Sequence, residues 1–115
     1  MKRILIACMT AAAAVTLAAA SASAFAKGNA EAGKAKAAQV CAACHGPDGN
    51  KPTAPDFPVL AGQHADFLKK ALADYKSGKR NNAIMKGFAA TLSNQEMDDL
   101  AAWFASQPSK LATQR

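Results

Sequence analysis

The sequence has 115 residues, with 14 Lys and Arg against 8 Asp and Glu, a formal charge of +6 at neutral pH. That length supports one small domain and excludes two. The modest positive balance favours encounter with an acidic protein face, and with no basic motif in the chain it excludes nucleic acid as a partner.

Lys2-Arg3, an apolar run from Ile4 to about Ala20 and small residues ending Ala24-Phe25-Ala26 make the three-part pattern of a secretory signal. The reading is a signal peptide over residues 1–26, cleaved after Ala26 with Ala24 as the runner-up, and a domain over 27–115 exported to the periplasm. An uncut membrane anchor is the alternative, because the apolar run approaches spanning length. Leu5-Ile6-Ala7-Cys8 has the form of a lipoprotein box but precedes the apolar core it should follow, so Cys8 goes with the discarded segment. Taking 26 residues from 115 leaves 89, and taking Lys2 and Arg3 from the cations leaves twelve against eight acids, a balance of +4. A domain that short has little core of its own and commonly needs a staple.

Asn29 is the expected N-cap of a first helix running through Glu31, Gly33 and Val40. Gly33 costs a helix interior about 1 kcal/mol relative to alanine, a cost that points to close approach of another backbone. The helix leads into Cys41-Ala42-Ala43-Cys44-His45. Two thiols three residues apart, followed at once by an imidazole, are what covalent attachment of haem c requires: each sulfur adds to one vinyl group and the histidine sits under the iron. A thioredoxin-like pair or half a zinc site would leave the histidine unused. Cys41 and Cys44 are thereby consumed and no disulfide remains. The haem would then be the domain's staple.

From Gly46 to Gly62 the chain is dense in turn formers, with Pro47, Pro52, Pro55 and Pro58. This predicts an extended loop organised by wrapping the cofactor edge. A second helix is predicted from about His64 to Ser77, with Phe67, Leu68, Ala71, Leu72 and Tyr75 on one face and Gly78 as terminator. Lys69, Lys70 and Lys76 fall off that stripe and read as a solvated face. Arg80 to Phe88 reads as irregular chain between helices. Ser93-Asn94-Gln95-Glu96 is a capping box, with Leu92 and Met97 placed to form a hydrophobic staple. Met97, Leu100, Ala101 and Phe104 continue a stripe that Pro108 ends.

The iron's second axial position is open to Met85, Met97, His64 or no protein ligand. Met97 has a structural task in the staple and His64 reads as an ordinary exposed histidine. Met85, in a segment between rigid elements, is the favoured ligand. A thioether favours ferrous iron, so a histidine–methionine pair raises the reduction potential relative to two histidines.

The chain resembles the class I c-type cytochromes, of the bacterial cytochrome c553 and cytochrome c4 half-domain kind, over residues 28–107. The resemblance rests on Cys41-Ala42-Ala43-Cys44-His45-Gly46, Phe57-Pro58-Val59-Leu60-Ala61-Gly62-Gln63, Tyr75-Lys76-Ser77-Gly78-Lys79-Arg80-Asn81-Asn82 with Met85 after it, and Leu92-Ser93 leading into Leu100-Ala101-Ala102-Trp103-Phe104. It implies an all-α fold of three main helices and long loops wrapped around one covalently bound haem. Gly33 would stand at the crossing of first and last helices, with Leu100 and Trp103 as its partners. Ala37 stands where relatives often place a large aromatic, implying a less tightly filled crossing. The resemblance further implies that the Pro58 carbonyl orients His45, that Leu60 lines the proximal pocket, and that Arg80 steadies a propionate unless it is an ordinary surface arginine.

The function so implied is that of a monohaem carrier of single electrons between membrane-bound respiratory complexes. It would be free in the periplasm, a monomer or weak oligomer, with no stable membrane insertion after signal cleavage. No catalytic acid, base or nucleophile set is evident, so the chain does not read as an enzyme. Two rivals remain: a gas-binding or sensing haem protein with a displaceable sixth ligand, and a redox subunit dedicated to one dehydrogenase.

Overall fold

The computed structural model describes residues 28–111, so the expected signal peptide and Cys8 lie outside the described residues. Five helices follow in order: α1 (Ala30–Val40), α2 (Ala42–His45), α3 (Ala65–Ser77), α4 (Ala83–Ala90) and α5 (Asn94–Ala105). Among the described residues there is no strand, and no helix is long and apolar enough to cross a membrane. The three longest helices are the three expected from the sequence.

α1 begins where Asn29 accepts a hydrogen bond from the Ala32 amide at 3.0 Å, satisfying one of the free donors of a first turn. It crosses α5 at backbone contact. A Cβ built on Gly33 would lie 1.9 Å from the Asp99 carbonyl oxygen and 2.9 Å from the Trp103 Cβ, and Gly28 makes the same approach to Asp98. Trp103 is thus a partner of Gly33 as implied, but the other is the backbone of Asp99. Leu100 turns inward instead, 1 % exposed in the core. The buried Asp99 carboxylate is bound from both helices, accepting from the Asn29 amide at 2.7 Å and the Gln95 side chain at 2.8 Å. Lys36 of α1 pairs with Glu96 of α5 at 2.8 Å.

α5 is the central element, packed on both α1 and α3. Its capping box is complete: Ser93 Oγ accepts from the Glu96 amide at 3.1 Å, and Glu96 Oε2 accepts from the Ser93 amide at 2.8 Å. Leu92 and Met97 are both buried in the same core as Ala37, Leu68, Leu100, Ala101 and Phe104. The lysines of α3 are exposed but engaged. Lys69 pairs with Asp98 at 2.7 Å, Lys70 pairs with Asp74, and the Lys76 ammonium donates to the Leu92 carbonyl. That last contact ties α3 to the α4–α5 turn.

Two segments differ from expectation. The run after Arg80 is not irregular but forms α4, because Asn82 accepts from the Met85 amide at 3.0 Å and starts a helix. The loop over 46–62 carries a network of its own: Thr53 N donates to Cys44 O, the amides of Leu60 and Ala61 to Gly49 O, and Gly62 N to Phe104 O. Asn50 bonds Asp48 and the Pro108 carbonyl, and Ser109 bonds Ala61. The C-terminal segment therefore holds this loop against α5.

Gly33→Ala is expected to lower the unfolding free energy by about 3 kcal/mol, the upper end for overpacking, because backbone must move. Gly87→Ala, where an added Cβ meets nothing within 4 Å, should raise it by up to ~1 kcal/mol. Denaturant melts followed by circular dichroism check both, and equal midpoints would rule out the close crossing. Lys36 and the Ser93 amide hold the Glu96 carboxyl below its ordinary value of 4.5. A depressed folded value contributes stability above the ordinary value and loses it as pH falls through the depressed one. Glu96→Gln should therefore be less stable than the parent at neutral pH, with the gap closing in acid melts.

Candidate cofactor-binding site

The chain turns at Cys41, and the short helix α2 brings Cys44 and His45 back under the end of α1 through bonds from His45 N and Gly46 N to Cys41 O and Ala42 O. The His45 ring is 6 % exposed, and its Nδ1 lies 3.0 Å from the Pro58 carbonyl oxygen. A carbonyl only accepts, so Nδ1 carries the proton and donates, leaving the Nε2 lone pair free. Phe57 packs beside the ring at a centroid distance of 6.1 Å. Pro58 thus lies at hydrogen-bonding distance from the ring nitrogen that faces away from the free Nε2.

Cys41 and Cys44 are half-buried free thiols. Burial, and then the neighbouring Cys44, push the Cys41 thiol up to about 11. Redox-active and metal-binding cysteines need the opposite shift, toward thiolate.

Both cysteines and His45 border a cavity of about 530 Å³, within the range of cofactor sites. The α3 stripe forms one wall, with Phe67, Leu68, Ala71, Leu72 and Tyr75 all facing it. The loop supplies Pro58 and Leu60, and α4 supplies Ile84, Met85 and Phe88. Met97 is in the core and His64 is exposed, and neither borders the cavity. Of the three candidates for a second iron ligand, the structure brings Met85 alone to the space His45 faces. Arg80 is also at the wall, its guanidinium 5.9 Å from the Phe67 ring centre and 5.2 Å from that of Tyr75. It is exposed, with its guanidinium lying near the two rings at the cavity mouth. Gln63 and Asn82 border the cavity too, and the sequence reading gave neither a site role.

The walls fit a large flat apolar group. The large apolar side chains left exposed among the described residues are Val59, Phe67, Ile84 and Phe88, and all four border this cavity. Scattered exposed apolar residues are ordinary, but a set converging on one cleft marks a binding surface. Two sulfurs at its edge and an imidazole with a free Nε2 fit an iron porphyrin attached through its vinyl groups, and Met85 brings a thioether to the same cavity.

The Cytochrome c family model matches residues 30–108. Cytochrome c4 of Pseudomonas aeruginosa is 56 % identical over 84 residues, which are 73 % of this chain and 41 % of that protein. Cytochrome c-554(548) of Halomonas halodenitrificans is 41 % identical over 83 residues, covering 70 % of this chain and 98 % of that protein. The crystal structure of reduced recombinant cytochrome c4 from Pseudomonas stutzeri superposes with a TM-score of 0.65 at 47 % identity, over 70 % of this chain and 46 % of that one. The chain thus spans about half the length of the cytochromes c4 it matches and nearly all of the shorter cytochrome.

Replacing both Cys41 and Cys44 by alanine is expected to leave any haem extractable into acidified organic solvent, while the parent retains it in the protein fraction. Colour retained by the double variant would show attachment elsewhere. Made without haem, the same variant should lack the cooperative thermal melt of the holoprotein, since the cavity walls would stay open to water.

Proposed function

The chain belongs to the cytochrome c family, with covalently bound haem c as its cofactor, and on that premise we propose that it is a monohaem electron carrier with histidine–methionine ligation. The observation that carries the reading is that His45, with Nε2 free, and Met85 border one cavity whose edge holds the two cysteines. The haem supplies an iron centre that takes up and gives back a single electron. Cys41 and Cys44 tether it, and His45 donates through Nε2. Pro58, by accepting from Nδ1, fixes the ring plane and strengthens that donation. Met85 gives a soft, weak thioether ligand that favours the ferrous state. Leu60 walls the histidine side against water. Arg80, already oriented by Phe67 and Tyr75, steadies a propionate.

With His45 and Met85 both bound, the iron would have no position open to a substrate, and the same two residues would serve both oxidation states. Small rearrangement suits outer-sphere electron transfer and disfavours gas binding. The proposed setting is the periplasm, reached by loss of residues 1–26, and the proposed partners are membrane-bound respiratory complexes that donate and accept electrons. Lys51, Lys79 and Lys86 take part in none of the three ion pairs among the described residues. From Tyr75 to Gln95 the chain has no acidic residue. These cations are therefore free to meet an acidic docking face, an attraction that salt screens.

The test is the absorption spectrum of the purified holoprotein, extended into the near infrared. The expected result is a low-spin pattern with a weak sulfur-to-iron band, present in Met97→Leu, absent in Met85→His, and a lower potential in the latter. High-spin spectra and ready carbon monoxide binding by the reduced protein would favour a gas-binding role instead. Oxidation by a membrane-bound oxidase should slow as ionic strength rises, and indifference to salt would remove the lysines from docking.

A further inference from the structure

We propose that Asn82 is a positioning residue that, by capping α4, sets how readily Met85 leaves the cavity. The inference rests on the reading of Met85 as an axial ligand and adds what holds it there. Met85 is the third residue of α4, and its own amide is one of the donors left without a partner in a helix's first turn. Asn82 Oδ1 accepts from that amide at 3.0 Å, and the Asn82 carbonyl accepts from Lys86 N at 2.9 Å. The residue before the ligand helix is thus bonded to the backbone of the ligand itself.

Beyond its packing on α3 and the Lys76 bond to the Leu92 carbonyl just after it, the helix has few ties. It has eight residues, short of the ~12–15 that an isolated helix needs. Gly87 lies in its interior, where glycine weakens a helix relative to alanine. Ala89 is its buried residue, and Ile84 and Phe88 border the cavity instead of entering the α1–α5 core. Lys86 forms none of the ion pairs among the described residues, and the packing partner of α4 is α3. α1 and α5, by contrast, are joined through Gly33, Asp99 and the Lys36–Glu96 pair. The cysteines and His45 therefore sit on the firmly held part of the domain and Met85 on the weakly held part. Local opening starts in such segments. An external ligand competing for the position of Met85 binds only the opened fraction, so its apparent affinity reports that fraction.

The experiment is an imidazole titration of the oxidised holoprotein, following loss of the near-infrared sulfur band. Asn82→Ala is expected to bind imidazole about fivefold more tightly, the equivalent of a lost cap. Asn82→Ser, which keeps a capping oxygen, should return to the parental affinity. Gly87→Ala should bind about fivefold more weakly, as a stiffened helix opens less. A merely structural cap would lower the melting midpoint of Asn82→Ala and leave all four affinities equal, and that result overturns the inference while the sulfur band keeps the ligand reading intact. A parent without the band, or a Met85→Ala variant that retains it, overturns both. If Asn82→Ala fails to fold, the opposite shift in Gly87→Ala still decides, since an unchanged affinity there is contrary to the proposal.

Discussion

The contact of Gly33 with the Asp99 carbonyl fixes the geometry on which everything else rests. With no side chain between them, α1 and α5 meet backbone to backbone, and the end of α1 is set over the core with the cysteine pair just beyond it. Asp99 reinforces the joint by accepting from the amide of Asn29, the N-cap of α1. α5 then presents Leu100, Ala101 and Phe104 as a floor, and α3 rises from it as the cavity wall. The cofactor site lies where the helix crossing and the core leave off.

What was legible in the sequence is what side chains announce. The cysteine–histidine motif, the Asn29 cap and the Ser93–Glu96 box each carry their chemistry at fixed spacing, and each stands where expected. What was not legible depends on backbone. Any residue offers a carbonyl, so nothing about Pro58 as a residue marks it as the acceptor for His45; that expectation came through resemblance alone. The same holds for the Asp99 carbonyl at the crossing, for Leu92 receiving Lys76 and for Gly49 binding the far side of its loop. α4 was missed because eight residues with an internal glycine give a weak helical signal, and because Asn82 among Arg80, Asn81 and Asn82 looks like loop composition until its bond to Met85 is seen.

Ala37 illustrates a subtler point. Where relatives are expected to place a large aromatic, this chain has a small residue, and yet it is fully buried in the core. Trp103 packs against that core and receives Lys34 over its ring at 5.5 Å, while its indole nitrogen is buried with no hydrogen-bond partner among the described residues. The partial burial of a tryptophan at this crossing supplies apolar area from α5 where α1 supplies little. The domain is thus held by a few well-placed contacts, and the apolar faces around the cavity remain to be covered by the haem.

X-ray absorption at the iron edge of the purified holoprotein, recorded in both oxidation states, tests the assignment of ligands most directly. One sulfur and five nitrogen neighbours in each state, with the sulfur lost in Met85→His, is the expected result. Six nitrogens in the parent, or five-coordinate iron in either state, would contradict it.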